Sequence, residues 1–251
     1  MNCKSFVYIS IMKSTLTTIL LVLSYFVQAQ VNHEALYNAY LAQDFQVWKK
    51  SIDEAQKSKM TIKQIEEIIN YEYGYIGVCL DENKNAEAVR IMQLMDRQLT
   101  ILERHQYQPA LVYMYRSALD AFQISLNKWD ILSLGARSVK YADLAYHTDP
   151  QNPLIVSLKG NVDFFRPKLL GGSKKNALYN YEKAIELFEQ QNQTTHNWNY
   201  LATLLWMAQA YEKTGNVQKA ELVCQKILTL APNFKYVKEV YYPELTKKMA
   251  K

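Results

Sequence analysis

The side chains best suited to metal ligation or nucleophilic attack are four histidines, His33, His105, His147 and His196, and three cysteines, Cys3, Cys79 and Cys224. A zinc site needs its ligands at short set spacings, as in H-E-x-x-H or C-x-x-C. None of these residues is paired that way, and no G-x-S-x-G marks an activated serine. Asp143 and Asp163 would form an acid–base pair only if one cleft held both and raised the pKa of one. Gly171-Gly172-Ser173-Lys174-Lys175 invites comparison with a phosphate loop, but it lacks both the G-x-x-x-x-G-K-[ST] spacing and an upstream strand. It reads instead as a tight turn followed by a helix cap, whose amides and lysines could also hold an anion. The sequence therefore offers no catalytic residue, no cofactor site and no metal site. The expectation is a protein that is not an enzyme.

The elements that would position any site are helices. Between Asn199 and Pro232, Leu204, Met207, Ala208 and Tyr211 recur at i, i+3, i+4 and i+7, one face of a helix. Gly215 follows, and glycine supplies the positive φ that a helix C-terminus needs before the chain reverses. Ala220, Cys224 and Ile227 form a second stripe. Pro232 has no N–H and ends the unit.

This run resembles the tetratricopeptide repeat, a helix–turn–helix of about 34 residues with the pattern W-x2-L-G-x2-Y…A-x3-F…P. The matching residues are Leu204-x2-Met207-Ala208-x2-Tyr211, then Ala220-x3-Cys224, then Pro232. Leu replaces Trp, Ala replaces Gly and Cys replaces the aromatic, each keeping an apolar or small residue. Ala177-x3-Tyr181-x2-Ala184 carries the second-helix half of the pattern again, after the longer Arg166–Ser173 loop. The best repeats are thus 153–190 and 199–232, with 233–251 as a C-terminal capping helix. The resemblance implies an all-α fold of stacked antiparallel hairpins, an α-solenoid with a right-handed superhelical turn. The Leu-Leu-Gly-Gly loop, within 150–190, is also similar to the repeat-containing accessory subunits of TRAP-type solute transporters.

The rest of the chain fits the same period. Asp44 suits an N-cap, Thr61 with Gln64 a capping box, and Pro109 a first helical position. The stripe Ile131, Leu132, Ala136, Val139, Ala142 and Ala145 ends at a junction, Asp149-Pro150. About eleven helices follow residue 30. Pro243 is expected to kink or split the last of them, beside a polar face of lysines suited to a terminal cap. The chain is 49% hydrophobic, with 19 tyrosines and only 7 glycines, enough for a core and too few turn residues for an all-β fold.

Residues 1–29 have the layout of a secretory signal peptide: Lys13, an apolar run from Leu16 to Val27, and Ala29 at the cleavage point. The run, of about 12 residues, is shorter than the ~20 a bilayer span requires. Translation from Met1 or from Met12 would both preserve it. Removing 1–29 takes Lys4 and Lys13 and lowers the formal charge by two, from +5 to +3. That mild, dispersed charge does not suggest nucleic-acid binding. The mature chain, 30–251, keeps Cys79 and Cys224, too few for a disulfide scaffold.

The expected role is an exported scaffold of the bacterial envelope, periplasmic or extracellular, with no membrane span once the leader is removed. It would bind a protein or peptide on its concave face, which first helices line in such arrays. There the candidate contacts are Ser157, Asn161, Phe164, Leu205, Gln209 and Glu212. The alternative is a solute-binding or transporter accessory module with a pocket near the 166–173 loop.

Overall fold

The computed structural model describes residues 31–249, so the expected leader lies outside the described residues. Eleven α-helices and no strands occur among them: α1 His33–Ala42, α2 Phe45–Ala55, α3 Ile62–Asp81, α4 Asn85–Arg104, α5 Pro109–Leu126, α6 Ile131–Thr148, α7 Pro153–Phe165, α8 Lys174–Gln190, α9 Trp198–Lys213, α10 Val217–Leu230 and α11 Tyr242–Met249. None is long and apolar enough to cross a membrane.

The helix starts are set by local chemistry. Thr61 and Gln64 form a reciprocal capping box, Thr61 Oγ1 accepting from the Gln64 amide and Gln64 Oε1 from the Thr61 amide. Asp44, Asn152, Ser173 and Asn197 each accept from amides of the first turn they precede. Pro109 and Pro153 open α5 and α7, where a missing N–H costs nothing. Gly215, with φ 84°, makes the reversal between α9 and α10.

The helices pair in sequence as α3/α4, α5/α6, α7/α8 and α9/α10, and each hairpin packs on the next. The first helices α3, α5, α7 and α9 also touch one another in order. This nearest-neighbour stacking is the α-solenoid arrangement. Fully buried alanines at 142, 145, 177, 184, 208 and 220 let the helices approach closely. At Gly160 a Cβ would lie 2.6 Å from the Tyr181 ring.

The N-terminal hairpin reaches across the stack. Trp48 donates its indole N–H to the Leu36 carbonyl at 2.8 Å. Its ring centre lies 5.3 Å from that of Tyr71 on α3 and 5.0 Å from that of Trp198 on α9. Tyr40 lies 4.9 Å from Phe234, beyond α10. Gly74 makes this possible, since a Cβ there would fall 2.5 Å from Trp48 and 2.9 Å from Trp198.

The closing segment stays helical across Pro243 and widens just before it. A π-turn over Val237–Tyr241 precedes α11. The wider turn falls where the proline ring would meet a regular helix's i−4 carbonyl, that of Glu239.

Candidate functional site

The turns inside the hairpins share one edge of the stack, because α5 and α7 both run antiparallel to α6. In the α5–α6 turn, the polar groups bond inward. Asn127 Oδ1 accepts from the Trp129 amide, and Asp130 accepts from Asn127 Nδ2 at 2.9 Å and Gln123 Nε2 at 2.8 Å. The apolar groups are left outside: Trp129 is 81% exposed and Leu132 84%. Leu132 and Ala136, expected in the α6 stripe, are therefore surface residues. The helix buries Ala142 and Ala145 of that stripe together with Ser138, after a 3₁₀ turn over Lys128–Asp130.

The α7–α8 loop is built more firmly. The Ser173 amide donates to the Asp163 carbonyl at 2.9 Å, and Arg166 Nη2 donates to the Gly171 carbonyl at 2.8 Å. Gly171 takes φ 88°. Gly172 has no room for a Cβ, which would stand 1.8 Å from the Arg166 carbonyl oxygen. Buried Asp163 holds the base of the loop through Arg166 and Lys159, each at 3.3 Å, and Asn180 at 3.0 Å. The result is an outward knob. Leu169, on its 3₁₀ turn, is 99% exposed, and Phe165 and Leu170 are exposed beside it. Phe165 packs edge-on against Trp206.

The knob is basic as well as apolar. Residues 164–176 contain Arg166, Lys168, Lys174 and Lys175 and no acid. Lys174 Nζ sits 3.7 Å from the centre of the Phe164 ring and donates to the Phe164 carbonyl. Burial, with a smaller contribution from Lys213, lowers its pKa. Large apolar side chains grouped on a surface mark an interaction site more often than scattered ones do.

Of the six concave-face candidates, Phe164 lies at the base of the knob, under Lys174. Ser157, Phe164 and Leu205 are buried between helices, Ser157 sharing a 2.7 Å hydrogen bond with Thr203. Asn161 donates to the Tyr73 hydroxyl at 3.0 Å and accepts from Tyr181 at 2.7 Å, joining α7 to α3 and α8. Gln209 and Glu212 are half-buried, and Glu212 accepts from Lys248 and Tyr241. Ser157, Asn161 and Glu212 thus take part in bonds between helices.

Two clefts open away from the loop. One of about 320 Å³ lies among α4, α5 and α6, where Arg116 and Arg137 are held by Glu103 and Asp120. The other, about 150 Å³, is lined by His33, Glu66, Glu67, Tyr71 and Tyr115. Asp143 and Asp163 do come together, but around Lys159, at 3.5 and 3.3 Å. No group of three or more His, Cys, Asp or Glu side chains suited to a metal occurs among the described residues.

Trp129 is not marked by any motif, Leu132 reads as part of the α6 stripe, and Leu169 enters only within the Leu-Leu-Gly-Gly loop. The signal of Trp129 and Leu169 is a large apolar residue placed in a turn, off any stripe.

No protein-family model matches the chain, and no curated protein matches its sequence. Solved structures do match. One is the HusA haemophore from Porphyromonas gingivalis, with a TM-score of 0.55 and 15% identity, covering 73% of this chain and 95% of that one. The likeness is one of fold.

Proposed function

We propose that this is an exported, non-catalytic binding protein, built from tetratricopeptide-type hairpins. Its hairpin-turn edge takes an amphipathic anion with a flat apolar body, the class to which haem belongs. The observation that carries the reading is the edge itself. Trp129, Leu132, Phe165, Leu169 and Leu170 face solvent on two adjacent turns, the second with Lys168 and Lys175 beside them, while Arg166 is held by Asp163 and Lys174 by the Phe164 carbonyl. A macrocycle would lie on the apolar side chains, and its carboxylates would meet Lys168 and Lys175. The similarity in fold to a haemophore supports this ligand class, and the leader-like residues 1–29 support export. A protein or peptide partner is the second reading. The same exposed apolar side chains would receive it.

Residues 126–132 and 164–175 contain no His, Cys, Met or Tyr. Binding there would use the macrocycle and not its metal. Titration of the full chain with haemin, followed by absorbance, should therefore saturate, and metal-free protoporphyrin should compete equally. Replacing Leu169→Ser and Leu170→Ser together should weaken both at least tenfold. Failure of the unaltered chain to saturate, or unchanged binding in the double variant, would remove the proposal.

A further inference from the structure

Helices α3 and α4 are joined in their interior by Glu72 and Gln98, 0% and 4% exposed. Gln98 Nε2 donates to Glu72 Oε1 at 3.0 Å. The two remaining oxygens, Glu72 Oε2 and Gln98 Oε1, are both buried and without a partner. An ionised Glu72 would leave two acceptors and no donor in a dry interface, an arrangement that costs each its full desolvation. Turning the amide over would set its oxygen against the Glu72 carboxylate and leave its NH2 at the site that has no other partner. One proton supplies the missing donor.

We infer that Glu72 is held as a neutral carboxylic acid whose Oε2–H donates to Gln98 Oε1, closing a two-bond acid–amide ring between α3 and α4.

The neighbouring charges do not supply an alternative. Arg90 of α4 is bound by Glu87 at 2.7 Å and by Asp53 of α2 at 2.9 Å, and Lys49 of α2 also lies on Asp53. Arg97 of α4 acts on Glu72 only weakly, behind burial and the Gln98 bond. From α5, Tyr115 is bonded to Asn70. Burial pushes the Glu72 carboxyl up to about 8, overriding the smaller opposite effects of Gln98 and the two arginines.

The ring is a latch that alkali opens. In the unfolded chain the carboxyl ionises near its ordinary value of 4.5, so between there and about 8 the folded state binds one more proton. Stability from the latch is complete below that window and falls as pH rises through it. Loosening would act on α3, which carries Tyr73 and Gly74 into contact with α7 and α9.

Infrared difference spectroscopy of the full chain at pH 6 and pH 9 tests this. A protonated-carboxyl band present at pH 6 should vanish at pH 9, and should be absent throughout in Glu72→Gln. The folding constant should fall roughly tenfold per pH unit between pH 6 and 8, and that slope should flatten in Glu72→Gln. If Glu72→Gln does not fold, the double replacement Glu72→Leu, Gln98→Leu gives the pH-independent reference. Absence of the band in the unaltered protein at pH 6, or an equal slope in the variant, would overturn the inference.

Discussion

The inner packing around α7 and the hairpin-turn edge are both rich in aromatic and aliphatic side chains, yet they are opposites. In that packing Ser157 is paired with Thr203, and Asn161 with Tyr73 and Tyr181. At the edge the backbone and acids are bonded inward while Trp129, Leu132, Leu169 and Leu170 are left in water. A surface complete in itself is structural. A surface that stays apolar while its own turns are rigidly tied is available to something else.

That contrast breaks most sharply at Trp48. Trp48→Ala should cost about 3–5 kcal/mol by chemical denaturation, because it removes a buried indole shared by α2, α3 and α9. An exposed-groove reading of the inner side would expect a small effect. Gly74→Val should cost about 1–3 kcal/mol, since its Cβ would fall among the Trp48 and Trp198 rings. Asn161→Ala should cost about 1–3 kcal/mol by stranding two tyrosine hydroxyls, and this distinguishes a structural bridge from a ligand contact. At the edge, Leu169→Ser with Leu170→Ser should change stability by no more than about 0.5 kcal/mol while removing ligand binding. The two thiols sharpen the comparison last. Cys79 and Cys224 are free and buried, and burial pushes Cys224 up to about 12. A thiol reagent should label neither until denaturant is added.

The stack was legible because its signals are local. The Thr61–Gln64 box, the prolines at first helical positions, Ser173 and Gly215 each act within a few residues, and the apolar period reports burial directly. Contacts far apart in sequence were not legible. The period of α7 marks Ser157 and Asn161 as off its main stripe, and nothing local says that α3 and Trp48 fill the space they face. Leu132 misled for a different reason: at 100° per residue it stands about 80° from Ala142 and about 140° from Ala145, so a strict helical period leaves it outside the stripe. The widening before Pro243 was legible in kind, since a missing donor must be absorbed somewhere.

The meeting of Tyr40 with Phe234 and of Trp48 with Trp198 gives the array a fixed length. An open solenoid grows by accretion, and each added unit answers only to its neighbours. Here a further hairpin spliced between α8 and α9 would carry Trp198 away from Trp48 and unclasp the first helices from the last. Duplication, the ordinary route by which such arrays evolve, is closed to this chain. It should also melt as a single unit and not peel from its ends.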